Sequence, residues 1–292
     1  MARLFVIATP IGNLGDLSPR AVQTLADCHL VLCEDTRRTL KLLSHLGLKK
    51  QMLSYHEHNE RARTDEIIAR MQNEQLDVAL VSDAGTPCVS DPGHVIVAAA
   101  QAAGIEVLGV SGPSALITAL SVSGFELTAF SFHGFASREK GERRKLFDAL
   151  RLAPEPVFVL YESPKRVRRL LEELAEAFPE ADACACCDLT KLHEKSIVGP
   201  VAAVRDALAD NPNAELGEYV IIVRKNWAAQ AQAEASMPPE AAIAAYLALH
   251  PEATLKEAAR GAACPGVTRK ELYNAAMNLR QRLQGGRHDD DA

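Results

Sequence analysis

Four apolar, β-rich runs recur in the first 110 residues: "LFVIAT" (4–9), "LVLCE" (30–34), "DVALVS" (77–82) and "IEVLGV" (105–110). Each is followed by a segment of helical character, and "QMLSY" (51–55) reads as one further short strand. Runs that are apolar at every position, not at alternate ones, suit strands buried on both faces. Joined by single helices, they predict a mainly parallel sheet covered on both sides. Ser18-Pro19 supplies an N-cap and a first helical position, and Gly47 closes the helix that starts near Thr36.

The rhythm pauses at "SVSGFELT" (121–128) and then resumes. "AFSFHGF" and "PVFVLY" read as strands around a basic helix over 138–152, and Ser163-Pro164 opens the next helix. "ACACCDLTK", "KSIVG" and "EYVIIVR" add three strands, whose short links predict antiparallel pairs. The expected class is therefore α/β, with two α/β domains over 1–121 and 122–227. An Ala/Gln-rich linker (228–237), a small helical module (238–284) and a disordered tail (285–292) are expected to follow. Within the module, Thr254/Glu257 and Thr268/Glu271 each show the capping-box pattern. Two short helices around "ACPGV" fit a helix-turn-helix or a plain helical hairpin equally well.

Seven cysteines contain no C-x-x-C, which argues against a zinc ribbon or a dithiol redox motif. In "CACC", Cys184 and Cys186 would share one strand face as small hydrophobes, and Cys187 would take the other. His56 and His58 flank Glu57 without a further ligand set, so that segment reads as a surface turn. No apolar run reaches the roughly 20 residues of a membrane helix. The opening residues lack a signal-peptide pattern, and a cytoplasmic protein is expected. A net charge of −6 excludes a wholesale nucleic-acid coat. "SREKGERRK", "SPKRVRRL" and the C-terminal "TRKELYNAAMNLRQRL" are nevertheless locally basic, which suits phosphates met at one face or ordinary solvated helices.

The loops after the strands are the unusual feature. "TPIGNLGD", "SDAGTPCVSDPG" and "SGPSAL" follow the first, fourth and fifth strands, and each is built of small residues and prolines. In an open α/β sheet ligands sit beyond the C-terminal strand ends. Helices expected to start at Pro92 and Ser114 would aim free N–H groups there. No G-x-G-x-x-G or P-loop occurs, which counts against dinucleotides and nucleoside triphosphates, and no G-x-S-x-G elbow is present.

"VIATPIGNLGDLSPRA", "CEDTRRTLKLL", "SYHEHNE", "VSDAGTPCVSDPG", "GPSALITAL", "FHGFASREKGERRK", "LYESPKRV" and "LTKLHE" follow one another in this order. Together they resemble the cytidine 2′-O-ribose methyltransferases of small-subunit ribosomal RNA, within the tetrapyrrole methylase superfamily. The resemblance implies two α/β domains with S-adenosylmethionine in the cleft between them. It also implies a homodimer, and 16S rRNA in the small ribosomal subunit as substrate. By position, the cofactor would lie against Pro10, Ala84, Gly85, Thr86, Val89, Ser114, Ala115 and Leu189. The sequence departs from the family where Cys187 and Asp188 replace an Arg-Glu pair and Ser111 replaces a proline. The first departure removes a charge near the cleft and bears on substrate affinity rather than reaction type.

Methyl transfer to a ribose 2′-oxygen requires that oxygen near the methyl carbon and an outlet for its proton. Asp35, Glu57, Glu162, Lys191 and Glu194 are candidate assistants, and Lys191 and Glu162 are the preferred pair. Asp35 also reads as the cap of the helix after it. Two other readings remain open at this level. One is a methylase of a tetrapyrrole small molecule, and the other is a non-catalytic nucleic-acid-binding protein.

Overall fold

The computed structural model describes residues 2–226, 238–262 and 267–285, the last six of these for their backbone only. The chain divides into two compact units, Met1–Arg224 and Lys225–Ala292. In the first, β1 (Arg3–Ile7), β2 (Leu30–Cys33), β3 (Gln51–Ser54), β4 (Val78–Val81) and β5 (Glu106–Val110) form one sheet in the order β3-β2-β4-β1-β5. Every pairing in it is parallel. Helices α1 (Pro19–Asp27), α2 (Thr36–His45), α3 (Glu60–Glu74) and α4 (His94–Ala102) link the strands, and α5 (Ala115–Val122) follows β5.

The unbroken apolar runs are explained by two cores. Leu30, Leu32, Val78 and Leu80 face α3 and α4, packing with Ile67, Met71 and Ile96. Their neighbours Val31, Cys33, Ala79 and Val81 point the other way, against Ala21 and Leu25 of α1. The local signals behave as their chemistry dictates. The Ser18 hydroxyl accepts from the Ala21 amide with Pro19 at the first helical position, and Gly47 (φ +68°) ends α2.

The second sheet has the order β6-β7-β10-β8-β9, with β6 (Phe130–Phe135), β7 (Val157–Glu162), β8 (Asp182–Cys187), β9 (Lys195–Pro200) and β10 (Tyr219–Arg224). Only the β6–β7 pair is parallel in this sheet. Helices α6 (Lys140–Leu152), α7 (Pro164–Ala177) and α8 (Val201–Ala209) cover one face. The other face receives α5, whose Leu116, Ala119 and Leu120 pack on Val159, Cys184, Cys186 and Ile222. Cys184 and Cys186 thus share a buried face while Cys187 packs toward the opposite core. The six cysteines among the described residues are free thiols, and no cluster there could hold a metal ion. Helix α8, absent from the sequence reading, fills the link between β9 and β10.

Among the described residues the second unit holds three helices, one more than the sequence reading marked. Pro239–Leu249 precedes Leu255–Gly261 and Arg269–Gly285, and Ile243, Ala258, Ala259, Leu272 and Ala276 form their common core. Both capping boxes form: Thr254 and Thr268 each accept from the amide three residues on, while Glu257 and Glu271 accept from the cap amides. The linker and residues 286–292 of the expected tail lie outside the described residues; Gly285, the first tail residue, closes the last helix. No described helix is long and apolar enough to cross a membrane.

Candidate active site

Because β4, β1 and β5 are neighbours, the three loops after them emerge side by side at one edge. They are tied into one wall. Thr9 and Gly85 exchange backbone hydrogen bonds of 2.8 and 3.0 Å, and the Thr9 hydroxyl donates to the Ser82 carbonyl at 3.1 Å. The Thr86 hydroxyl donates to the Pro113 carbonyl at 3.3 Å, joining the fourth-strand loop to the fifth. Between this wall and the second sheet lies a cavity of about 550 Å³, within the ~300–1,000 Å³ usual for small-molecule sites.

The composition of "SDAGTPCVSDPG" now has a cause. Gly85, Cys88, Ser90 and Gly93 all hold positive φ, at +84°, +70°, +62° and +130°. Chain in such conformations stays near the sheet edge without entering a helix, at an energetic cost typical of functional loops. At Gly93 a Cβ would also strike Leu80 and Cys88. The helix expected from Pro92 therefore begins at His94, with Gly93 as its cap. The Gly93 amide donates to the buried Glu60 carboxylate at 3.2 Å, so it is not offered to the cavity. Ser114, by contrast, caps α5 as expected.

Ala84, Gly85, Thr86, Val89, Ser114, Ala115 and Leu189 all line the cavity, as does Glu162. Pro10 does not; its neighbour Ile11 takes that place. Lys191 is also outside the wall. Its Nζ donates to Asp188 at 2.7 Å and to Glu218, a wall residue, at 2.9 Å, and its stem lies against Gly12. Burial pulls the Lys191 pKa down, but hydrogen bonds to Asp188 and Glu218 outweigh it and the net shift is upward. An ammonium held this way does not accept a proton at neutral pH. Asp188 is thus an ion-pair partner of Lys191.

Glu162 is equally committed. Its buried carboxylate pairs with Arg166 at 2.5 Å and accepts from the Ser163 amide at 2.7 Å and hydroxyl at 3.2 Å. Asp35 caps α2, accepting from the Arg37 amide at 2.8 Å, and Glu194 accepts from the Thr190 amide at 2.6 Å. Glu57 is exposed in the turn between β3 and α3.

Sequence reasoning passed over a different set of acids. Glu34 at the end of β2, with Asp83 and Asp91 of the long loop, all face the cavity. Asp83 accepts from the Asp35 amide at 3.1 Å and pairs with Arg38 at 3.3 Å. Burial, then the nearby charges of Glu34 and Asp83, push the Asp91 carboxyl up to about 7. Burial and Asp83 also raise Glu34, while Arg38 and His56 oppose the rise. Acidic residues directly beyond strand ends were the available signal; in "SDPG" the aspartate reads as a turn former.

Residues 3–205 match the family model described as Tetrapyrrole (Corrin/Porphyrin) Methylases. Among solved structures, the chain resembles diphthine synthase at a TM-score of 0.57 with 13% identity, covering 77% of this chain and 90% of that one. It also resembles uroporphyrin-III-C-methyltransferase from Thermus thermophilus, at a TM-score of 0.52 and 22% identity over 76% and 94% of the two chains. Among curated relatives, the ribosomal RNA small subunit methyltransferase I of Xylella fastidiosa strain Temecula1 is 42% identical over 92% of this chain and 97% of its own. The protein of that name from Pseudomonas aeruginosa is 40% identical over 94% and 96%. With a two-sheet fold, a cavity at the strand ends and relatives matched nearly end to end, the chain belongs to the ribosomal RNA small subunit methyltransferase I family of tetrapyrrole methylases.

Proposed function

We propose that this protein transfers a methyl group from S-adenosylmethionine to the 2′-hydroxyl of a cytidine in 16S rRNA, acting on the small ribosomal subunit in the cytoplasm. The observation that carries the reading is the near full-length match to relatives named for small-subunit rRNA, together with a cavity whose walls suit this cofactor. Ala84, Gly85 and Thr86 present backbone at close range, and the start of α5 lies at Ser114 and Ala115. Glu34, Asp83 and Asp91 offset the positive charge of a sulfonium and an ammonium.

The bound cofactor supplies an electrophilic methyl group. The chain's own residues then have to position the hydroxyl and remove its proton. Glu162, fixed by Arg166 and Ser163, holds the junction of β7 and α7 against the cavity. Lys191 fixes the loop carrying Leu189 through Asp188 and Glu218, and contributes a permanent positive charge. Both act by positioning.

For the RNA, the basic runs divide in two. Arg143 is buried against Glu173, and Arg166 and Arg169 are paired with Glu162 and Glu173. Arg138, Lys140, Arg144 and Lys165 are exposed, with no ion pair among the described residues. Arg138 lies three residues beyond the wall residue Phe135, and Lys165 directly follows the wall residue Pro164. Their closeness along the chain to wall residues supports a role in receiving phosphates. Ile117 and Val122 are exposed apolar side chains, and burying such surface is the favoured role of a homodimer contact. Nucleoside mass spectrometry of treated small subunits is expected to show 2′-O-methylcytidine; a base-methylated nucleoside would refute the ribose assignment.

A further inference from the structure

Phe135 is held where the unligated protein gains little from it. The ring lines the cavity and is 58% exposed, although burying an aromatic side chain would stabilise the fold. Its position is set by a β-bulge. Phe132 pairs with Val159 and Phe135 with Tyr161, so three steps along β6 match two along β7. In a regular strand Phe132 and Phe135 would point to opposite faces. The extra residue turns both rings onto Tyr161 in edge-on contacts, with centroids 4.8 and 5.5 Å away. Gly134 allows the bulge: its φ is +61°, and a Cβ there would meet the Ser90 hydroxyl at 3.0 Å.

The ring is also braced. Tyr161 behind it is hydrogen-bonded to the Leu116 backbone. Arg166 donates to the Ala136 carbonyl at 3.2 Å, and Arg143 donates to the Ser137 and Arg138 carbonyls at 2.9 and 2.8 Å. A bulged strand end, tied down directly after its exposed aromatic ring, is preorganised to meet a planar partner.

We infer that Phe135 is the platform on which the base of the target nucleotide stacks while its ribose enters the cavity. This rests on the reading of the cavity as a ribose methyl-transfer site. A nucleotide that puts its ribose into the cavity leaves its stacked neighbours, and its base then needs a new π partner. Arg138 follows the ring by three residues and is exposed. A cation so near along the chain suits a nucleotide, which carries a phosphate, and S-adenosylmethionine carries none. Ile117 and Val122 are aliphatic and lie off the cavity wall, so the dimer contact that suits them makes no claim on Phe135. Stacking accepts any base, so the ring holds the nucleotide without choosing cytidine.

Single-turnover methylation of small ribosomal subunits by the full chain tests this. At saturating subunits and cofactor, Phe135→Ala and Phe135→Leu should each slow the reaction about 10–100-fold, the range expected for one lost base–aromatic stack. Subunit affinity should stay within about threefold, because phosphate contacts elsewhere hold the RNA. Phe135→Tyr should keep the rate within about threefold of the parent. Cofactor affinity by calorimetry and oligomeric state by light scattering should match the parent in all three variants. A Phe135→Leu rate within about threefold of the parent would overturn the proposal. So would a parallel loss of cofactor affinity, which would set the ring against the cofactor, or a changed oligomeric state, which would set it in a dimer contact. Failure of the ribose reading shows in the parent's own product, whereas failure of the stacking platform shows only in the variants.

Discussion

The Arg143–Glu173 pair links the stability of the second sheet to the shape of the cavity, and Glu173→Gln is its most informative perturbation. Arg143 lies on α6 with its side chain 5% exposed, and Glu173 on α7 with 15%. Two hydrogen bonds of 2.6 Å join them. The same guanidinium donates to the Ser137 and Arg138 carbonyls at 2.9 and 2.8 Å, just beyond the wall residue Phe135. Removing one charge of a buried pair costs about 3–5 kcal/mol. Here the two carbonyl bonds survive and glutamine still accepts one hydrogen bond, so a loss of about 2–3 kcal/mol is expected. Replacing both partners with apolar residues (Arg143→Met with Glu173→Leu) should recover only part of it, because the Ser137 and Arg138 carbonyls then lose their donor. Urea unfolding of the full chain, followed by far-UV circular dichroism and resolved into transitions where the two units separate, gives the number. The pH dependence has a definite sign. Hydrogen bonds from Arg143 hold Glu173 below its ordinary value of 4.5, so its stabilisation is present above 4.5 and is lost as pH falls through the depressed value. The Gln variant should lack that acid-side loss. A single-variant loss under about 1 kcal/mol, or a double variant as unstable as the single, would refute the reasoning.

Gly85→Val should reduce cofactor affinity by at least tenfold in calorimetry while the protein stays folded. The cause is the +84° φ, which a β-branched residue resists, more than a blocked space, since a Cβ there would meet Ile11 at an ordinary 3.5 Å. Unchanged affinity in a folded variant would remove the loop from the site. Truncation after Trp227 should leave cofactor affinity unchanged, weaken binding to the small subunit and flatten its salt dependence, because phosphate contacts release counterions in proportion to their number. Impaired cofactor binding in the truncated chain would assign the C-terminal unit to the cavity instead.

How much of this was legible depends on the range over which each signal acts. The β1-to-α5 alternation could be read because strands such as Val78–Val81 are buried on both faces, which leaves a continuous apolar run. Caps at Ser18, Asp35, Thr254 and Thr268 are local chemistry and appear as expected. Helix α8 and Pro239–Leu249 were missed for a reason also local. The first opens on Pro200 with no side-chain cap, and the second is apolar around its circumference, so no stripe marks it. The site failed differently. The basic run around Arg143 suggests phosphate contacts, yet its partner Glu173 lies 30 residues away on another helix. Asp91 gains its character from burial and then from Glu34, 57 positions earlier, and no local pattern shows that two strand ends bring them to one cavity.

Strain and unpaired charge at the same place point to one design constraint. The loop from Ser82 to Gly93 holds Cys88 and Ser90, neither a glycine, in the left-handed region, and it carries an acid pushed to about 7 by its own surroundings. Either feature alone lowers the stability of the folded chain. They persist because the loop is held from both sides: by the Thr9–Gly85 bridge, by Thr86 on Pro113, and by Glu60 on the Gly93 amide. Those anchors fall at the ends of the segment and leave Asp91 itself untouched. A loop stabilised for its own sake would pair that carboxyl with a cation, as Arg38 does for Asp83. Leaving it unpaired and facing a cavity makes sense where a cationic ligand completes the charge balance.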